Sequence, residues 1–420
     1  GDEGRDITVV RDIIKGDKYT LIGPGTSIGQ MYLGPWYYYL MIPSVALSNF
    51  SPQGPAVMIA LFSVATTILL WWIARVWFGV IPSWLTSFIY ALSPTVITYS
   101  HSSWNPNIMP FFALLTIYSV WAIYKYQKYS YLPVLGFSFA MVLNSHYLGL
   151  LLLQVIVAFL YKSKISIIRN SLFIILFLFM MSPLLIFDAR HGWQNYQSFK
   201  KFVTVRQETV NLKPYKAIPN LWPIYIQINS SLLTAKNTQV GSLLSFIIVI
   251  LLIVNLLKIE NCKFQIKLIA LLLGFGILGL GLYKQHIYDH YFGFLFPAVF
   301  LSLAILFRTL GKKLSILLFL VMLVLNISKN PFWSEPNQQL SRTRQVAKLI
   351  NSLTLDTNYN LALISKHNYD ASYRYFLNQN YRTLHQQNTG SLYVICENPE
   401  CNPINSPLWE IAGFGWSKID

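Results

Sequence analysis

Long apolar runs follow one another along most of this chain and limit the folds open to it. A helix needs about 17–25 apolar residues to cross a bilayer, and on that basis about ten spans are expected. The runs cover residues 55–76, 82–99, 108–124, 131–143, 147–161, 168–187, 240–258, 266–283, 292–308 and 314–328. Charged residues make up only 11% of the chain, against about a quarter in soluble domains. The pattern predicts an all-α polytopic transmembrane helix bundle.

Basic residues indicate how the bundle is oriented. Alternate loops carry them: Arg75; Lys125 and Lys128; Lys162, Lys164 and Arg169; Lys258, Lys263 and Lys267; Arg308, Lys312 and Lys313. Loops rich in Lys and Arg stay in the cytoplasm, so we expect a multi-pass protein of the plasma (inner) membrane. Residues 1–54, 100–107, 144–146, 188–239, 284–291 and the tail would then be extracytoplasmic. The net charge of +16 is typical of a membrane protein with basic cytoplasmic loops, anionic lipid contacts or a phosphate-bearing substrate, and no nucleic-acid partner is expected.

Three regions differ in composition. Residues 1–54 are predicted to form a first external loop, residues 55–329 the bundle, and residues 330–420 a small extracytoplasmic α/β domain. Segment 33–49 is apolar and aromatic, yet alternation requires both of its ends outside, so we interpret it as an interfacial or re-entrant helix. The alternative, one more true span, would invert every later loop. We also expect a further helix before Gly1, which would give about eleven spans in all.

The small domain has its own local patterns. Val346, Leu349, Ile350 and Leu353 fit one helix face, and residues 361–365 and 392–396 have the composition of short strands. Cys396 and Cys401 flank a Pro-containing turn, where a disulfide is allowed outside the cytoplasm. Two free thiols are the alternative, and Cys262, in a predicted cytoplasmic loop, is expected to be free.

The opening residues GDEGRD hold the most informative polar cluster. Asp2, Glu3, Arg5 and Asp6 lie just outside the predicted membrane. A carboxylate there is suited to act as a general base towards an acceptor hydroxyl or amine. The alternative is that the acidic residues cap the helix that follows, at residues 7–15, through its dipole.

A second cluster lies in the loop KQHIYDHYFGFLFP. It brings Lys284, His286, Asp289, His290 and Tyr291 close together along the chain. Two histidines and an aspartate are metal-ligand types, but ligands so close on one loop do not by themselves make good geometry. No metal site is predicted; a weakly held divalent cation near a sugar phosphate is left open. The sequence has no P-loop and no dinucleotide fingerprint, and the cofactor stays unknown.

Two further external loops carry candidate binding residues. Trp104 could stack on a sugar while Asn105 hydrogen-bonds it, or the loop could be an interfacial turn. After span 168–187, Asp188, Arg190 and His191 follow. Arg beside His suits a phosphate; the alternative is an ion pair that holds the helix end.

These motifs together resemble a known superfamily. The run DEGRD, a loop, then GP and YLGPWYYYLMIP is similar to the first external loop of GT-C glycosyltransferases, which include protein O-mannosyltransferases and the lipid A aminoarabinose transferase. Asp2 matches the catalytic acidic position, with Glu3 beside it, and Tyr32, Gly34 and Pro35 match a proline-bearing turn. Relatives often have two prolines where this chain has Gly34–Pro35.

The resemblance implies a function and its partners. A sugar would pass from a polyprenyl-phosphate donor, held beside membrane lipid, to an acceptor protein, lipid or glycan by an inverting displacement with Asp2 as base. Lys284, His290 and Tyr291 match the loop that contacts the lipid-linked phosphate, and we expect Asp2 and this loop to share one cavity. The alternative is a transporter or flippase of lipid-linked sugars. Transporters place ionisable residues inside their spans, whereas these spans are nearly free of charge.

Overall fold

The fold is described from a computed structural model of the chain. It describes residues 1–163, 167–204, 209–211, 213–258, 263–354, 359–366, 368–377, 381–382, 392–397, 408–412 and 415–419. The chain divides into two compact units. The smaller unit contains Gly1–Tyr19, Val45–Pro52 and Glu335–Asp420, and the larger contains Thr20–Ser44 and Gln53–Ser334. The predicted loop region 1–54 is therefore shared between the two.

Helices make up most of the described chain. They are α1 (Asp2–Lys15), α2 (Trp36–Leu47), α3 (Gln53–Phe78), α4 (Val80–Leu92), α5 (Pro94–Ser100), α6 (Met109–Tyr126), α7 (Tyr131–Ser145), α8 (Leu153–Lys162), α9 (Ile167–Arg190), α10 (Gln194–Thr204), α11 (Ile218–Leu233), α12 (Thr238–Lys258), α13 (Lys263–Gly281), α14 (Phe296–Ser328), α15 (Gln339–Thr354) and α16 (Ala371–Phe376). Short 3-10 turns occupy Asn105–Ile108, Tyr147–Leu152, Pro214–Ala217, Asp289–Leu295 and Pro331–Trp333.

The larger unit holds the membrane-spanning helices. Within the described ranges, 6 helical stretches are long and apolar enough to cross a bilayer, or up to 7 if α4 and α5, which are bent by 59°, form one broken span. The chain is thus a multi-pass membrane protein. The predicted runs fall on helices, but α7 has only 15 residues, and α8 is likewise short because His146 and a 3-10 turn separate it from α7. These two short helices, together with the joining of runs 292–308 and 314–328 into one helical stretch, explain why fewer spans are found than expected.

The break in α14 separates two of the predicted runs. Gly311 has φ 71° and ψ 172°, a backbone conformation that glycine adopts without a side-chain penalty. The Ser315 hydroxyl donates to the Phe307 carbonyl at 2.6 Å. Eight residues of straight helix would separate those residues by about 12 Å. The chain therefore bends sharply at Gly311, between the runs 292–308 and 314–328.

Within the larger unit, helix ends that lie next to basic residues in the chain contact one another. Arg308 Nη1 donates to the Trp77 carbonyl at 3.0 Å, which joins the ends of α3 and the first half of α14. Tyr124 stacks on Phe264 with ring centroids 4.2 Å apart and meets Phe159 edge-on at 5.7 Å. These contacts agree with the alternation of basic loops; that this end faces the cytoplasm stays a prediction.

Helix α2 has 12 residues, too few for the ~20 that a span needs. Part of its aromatic start packs within the bundle. Tyr37 and Tyr38 are buried, the Tyr37 hydroxyl lies 3.1 Å from Ser103 Oγ, and the Trp36 indole donates to the Met180 carbonyl. That segment 33–49 forms an interfacial or re-entrant helix stays a prediction.

The smaller unit contains the predicted α/β elements. Strands β1 (Tyr359–Ile364), β2 (Tyr381–Arg382) and β3 (Leu392–Cys396) form a parallel sheet in the order β2-β1-β3. Strands β4 (Leu408–Ala412) and β5 (Gly415–Ile419) form an antiparallel hairpin. Buried residues of the sheet and its helices make one core: Ile350, Tyr359, Leu361, Leu363, Tyr373 and Ile395. The predicted fold class, a helix bundle with a small α/β region, is confirmed.

One detail of this unit differs from the sequence prediction. The helix over Val346–Leu353 is present as α15, but Leu349 and Leu353 are 59% and 61% exposed. Ile350 of the predicted face is buried and Val346 packs against the core, as expected. Thr343, Ala347 and Thr354 form the rest of the buried face, so small residues take the places expected for the two leucines. Cys396 is disulfide-bonded, while Cys401 and Cys262 lie outside the described residues.

Candidate active site

The acidic cluster lies on the first turns of α1, in the smaller unit. Arg5 connects two of its carboxylates: Nη1 lies 3.1 Å from Asp2 Oδ1, and Nε and Nη2 each lie 2.8 Å from Asp6 Oδ1. Residues three apart share a helix face, which allows Arg5 to reach Asp2. Asp6 is fully buried. These contacts between Arg5, Asp2 and Asp6 lie within the unit, and the substrate-binding roles expected for Arg5 and Asp6 stay predictions.

Asp2 is held from a second direction as well. The Tyr369 hydroxyl donates to Asp2 Oδ1 at 2.8 Å. Burial raises the pKa of Tyr369 above its ordinary value, so the phenol keeps its proton and acts as the donor. Asp2 is 44% exposed, and within the described residues Oδ2 accepts no hydrogen bond. This oxygen is chemically suited to take a proton. Asp2 and the exposed Glu3 also lie in the first turn of α1, where a negative charge is favourable.

The second candidate site is an aromatic cluster in the larger unit, formed by Trp104, His146, Tyr288, His290 and Tyr291. The His290 ring lies 4.4 Å from Trp104, 4.6 Å from Tyr291 and 6.1 Å from His146. Tyr288 stacks on His290 at 5.7 Å. Three loops that the sequence places outside, at 100–107, 144–146 and 284–291, therefore meet around one histidine.

His146 is a structural member of this cluster. Its Nδ1 accepts a hydrogen bond from the Leu148 amide at 3.2 Å. Burial lowers the pKa of His146 to about 3, and the nearby His290 contributes a smaller part of this shift. The ring is therefore neutral near pH 7 and acts as an acceptor rather than as a cation.

A small cleft opens beside the aromatic cluster. Its walls are mostly apolar, with a few polar groups, as in many ligand sites. The lining residues are Ser63, Tyr90, Val96, Tyr99, Ser100, Pro106, Asn107, Pro110, His290, Gly293 and Phe296. Asn105 is buried within the loop 100–107. Its Nδ2 donates to the Ser145 carbonyl at 2.7 Å, which joins that loop to the end of α7. Its predicted hydrogen bond to a sugar stays a prediction.

Of the polar residues near His290, one forms an ion pair and two are exposed. Asp289 is paired with Lys236 at 3.1 Å, a residue that sequence reasoning missed because it lies far away in the chain. Lys284 and His286 are exposed, and His286 meets Tyr288 edge-on at 4.6 Å. In the described part of the chain, no three metal-ligating side chains converge.

The proline-bearing turn is anchored to the bundle through backbone groups. The Tyr32 amide donates to Asn195 Oδ1 at 2.7 Å, and the Tyr147 hydroxyl donates to the Tyr32 carbonyl. Pro35 opens α2 by accepting the Tyr38 amide at 2.9 Å. A Cβ atom on Gly34 would lie 2.0 Å from Asn144 Oδ1. This close approach explains why glycine stands where relatives often have proline.

We expect Gly34→Ala to destabilise the protein by about 1–3 kcal/mol, because overpacking forces its neighbours to move. The measurement is the thermal unfolding midpoint in detergent. Asn144→Ala removes the atoms that the new methyl group would meet, so the double variant should be more stable than the sum of the two single changes predicts. An unchanged midpoint for Gly34→Ala would contradict the close packing.

The end of α9 has a structural role that the sequence did not suggest. Asp188 accepts the amides of Asn195 at 2.6 Å and Tyr196 at 3.2 Å. It therefore caps the first turn of α10, whose amides lack helical partners, whereas the alternative offered from the sequence was an ion pair. His191 stacks on Phe187 at 4.1 Å. Arg190 is exposed, and the substrate-binding roles of Asp188, Arg190 and His191 stay predictions.

Comparison with known proteins agrees with this arrangement. Residues 33–187 match the family model described as dolichyl-phosphate-mannose-protein mannosyltransferase. The fold is similar to ArnT from Cupriavidus metallidurans in the apo state, with a TM-score of 0.59, 11% identity, and coverage of 91% of this chain and 80% of that one. For ArnT bound to undecaprenyl phosphate the TM-score is 0.60 and the identity 11%, with coverage of 91% of this chain and 81% of that one. No curated protein sequence matches significantly.

A second type of membrane enzyme is also similar. The Archaeoglobus fulgidus oligosaccharyltransferase, in a complex with Zn and sulfate, matches with a TM-score of 0.55 and 12% identity, over 90% of this chain and 58% of that one. The family match begins at residue 33, so it includes Gly34 and Pro35 of the proline-bearing turn but not DEGRD. The apolar helices and these structures confirm the expected GT-C fold. The chain is a multi-pass membrane protein with the fold of the GT-C glycosyltransferase superfamily.

Proposed function

We propose that this protein transfers a sugar from a polyprenyl-phosphate carrier to an acceptor on the extracytoplasmic side of the plasma membrane. The observation that carries the proposal is the shared fold with ArnT, which has been seen with undecaprenyl phosphate bound. The match of residues 33–187 to a model of dolichyl-phosphate-mannose enzymes supports the same donor class. The acceptor is a protein, a lipid or a glycan.

The proposed step is a single inverting displacement. The acceptor oxygen or nitrogen attacks the anomeric carbon while the bond from that carbon to the phosphate oxygen breaks. Asp2 Oδ2 takes the acceptor's proton, and the polyprenyl phosphate leaves with the bonding electron pair. The geometry of Asp2 supports this role, because Oδ1 already accepts Arg5 and Tyr369 while Oδ2 is available.

Cationic and hydrogen-bonding groups would stabilise the leaving phosphate. We assign this role to Lys284, Arg190 and His290. The exposed positions of Lys284 and Arg190 support it, because both side chains can reach a ligand. Membrane-embedded isoprenoid would lie along the apolar helices beside the cleft at His290.

We expect Trp104→Ala to raise the KM for the donor about tenfold, because the variant removes the aromatic face that packs on His290 and is suited to stack on a sugar. The turnover number should change less. Trp84→Ala is the matched control: Trp84 is 48% exposed on α4 and stacks on Phe88, so donor KM should stay at the wild-type value. Equal effects of the two variants would contradict a role for the cluster in donor binding.

The donor class can be tested directly with the purified protein in detergent. Tritiated mannose is supplied as polyprenyl-phosphate mannose or as a nucleotide sugar, together with an extract of envelope proteins, lipids and glycans. We expect label to reach the acceptor pool from the lipid-linked sugar. Transfer from the nucleotide sugar at an equal rate would contradict the proposal. If mannose is not transferred, the assay is repeated with other sugars on the same carrier, and failure of all of them would contradict it as well.

A further inference from the structure

The first turn of α1 packs against segment 368–372 of the C-terminal region, within the smaller unit. We propose that Tyr369 is a positioning residue for Asp2, so that this region takes part in catalysis and is not merely an appended domain. The inference rests on the proposed function, since it concerns the aspartate assigned there as the base. Nothing in the chain's local sequence patterns connects Tyr369 with Asp2.

The first step of the argument is the geometry at the carboxylate. The Tyr369 hydroxyl and Arg5 Nη1 reach the same oxygen, Asp2 Oδ1, at 2.8 Å and 3.1 Å. Two donors on one oxygen fix the plane of the carboxylate. They also leave the other oxygen, Oδ2, to meet a proton. A base held in this way keeps the orientation that proton transfer requires.

The second step is how closely α1 is seated. A Cβ atom on Gly4 would lie 2.5 Å from both the amide nitrogen and the Cα of Ser372. The backbones therefore touch, and no residue with a side chain fits there without displacing α16. The glycine of the DEGRD motif allows this approach, which brings Asp2 within reach of Tyr369.

The third step is the support behind Tyr369. The Asn368 side chain accepts the Tyr369 amide at 3.0 Å and donates to Glu397 at 3.0 Å. Glu397 follows β3 and also accepts Tyr373 at 2.8 Å and Ser365 at 2.8 Å. Partial burial alone would raise the pKa of Glu397, but these hydrogen bonds outweigh it and lower that pKa below its usual value.

These contacts connect Tyr369 with the carboxyl edge of the parallel sheet. Ser365 follows β1 and Glu397 follows β3, so the ends of two paired strands are held together by one carboxylate. Leu361, Leu363 and Ile395 of the sheet lie in the core of the unit. Orientation of Asp2 would thereby be set by the sheet rather than by α1 alone.

The test is Tyr369→Phe in the full-length protein, assayed with polyprenyl-phosphate mannose or the sugar found active. The variant removes a hydrogen bond to the charged carboxylate of Asp2, so we expect kcat to fall about 10- to 100-fold. The donor KM should stay within about twofold and the unfolding midpoint near that of the wild type, because the ring is kept. A merely structural tyrosine would lower the midpoint without this loss of kcat.

Tyr375→Phe is the matched control. Its hydroxyl donates to the Phe50 carbonyl at 2.6 Å, away from Asp2, and its kcat should equal the wild-type value. The inference is overturned if Tyr369→Phe and Tyr375→Phe have the same kcat while Asp2→Asn is inactive. If Asp2→Asn keeps full activity, the assignment of Asp2 as the base and the positioning role of Tyr369 both fall, while the proposed sugar transfer itself stands.

Discussion

Asp2→Asn is expected to lower kcat by about 10²- to 10⁴-fold, the range that a positioned general base contributes. The asparagine keeps the size of the side chain and can still accept Tyr369 and Arg5 through its carbonyl oxygen. What it loses is the ability to take a proton at the position of Oδ2. The donor KM should therefore change little, and the loss should appear in kcat and kcat/KM equally.

The control for this prediction is Asp17→Asn. Asp17 is exposed beyond the end of α1, and the change removes one carboxylate from the same segment of chain. Its turnover should match the wild type. Glu3→Gln separates the two members of the acidic pair: a large loss there, with activity retained in Asp2→Asn, would transfer the role of base from Asp2 to Glu3.

Arg5→Gln is expected to destabilise the protein by about 3–5 kcal/mol, the usual cost of removing one partner of a buried ion pair. Asp6 is fully buried, and two nitrogens of Arg5 lie 2.8 Å from its Oδ1. Glutamine has a single neutral amide group in place of the charged guanidinium group of arginine. The carboxylate of Asp6 would then stay in a low-dielectric site without the guanidinium that compensates its charge.

The measurement is denaturant unfolding of the purified full-length protein, followed by a probe in the smaller unit. Arg342→Gln is the matched control, because its exposed side chain donates one bond, at 2.8 Å, to the Asn337 carbonyl. Such a surface change should cost less than about 1 kcal/mol. If Arg5→Gln costs no more than Arg342→Gln, the Arg5–Asp6 pair is not the stabilising contact described above.

Elements with a strong local pattern were predictable from the sequence. The apolar runs predicted the helices, because a helix buried in lipid or in the bundle needs apolar side chains. The boundary near Gly311 was also predicted, because the charged residues Lys312 and Lys313 follow it. The strands β1 and β3 were also found. Segment 33–49 was predicted not to span because alternation required both of its ends outside, and helix α2 there has only 12 residues.

Features that depend on distant residues could not be found this way. Tyr369 meets Asp2, and Lys236 meets Asp289, across long stretches of chain, and no local pattern marks either pair. Asp188 was predicted to bind substrate because the amides that it caps lie in the next helix, beyond any local pattern. The expected meeting of Asp2 with the Lys284–Tyr291 loop stays a prediction.

The claim at the centre of this account is that the protein breaks the bond between sugar and carrier phosphate, rather than moving the intact lipid across the membrane. Proteoliposomes with polyprenyl-phosphate mannose, or the sugar found active, and an envelope acceptor pool test it, by following free polyprenyl phosphate and labelled acceptor over time. We predict equal amounts of both products with the wild type and neither with Asp2→Asn. Movement of the intact labelled lipid between leaflets, with no labelled acceptor and no free carrier, would contradict it.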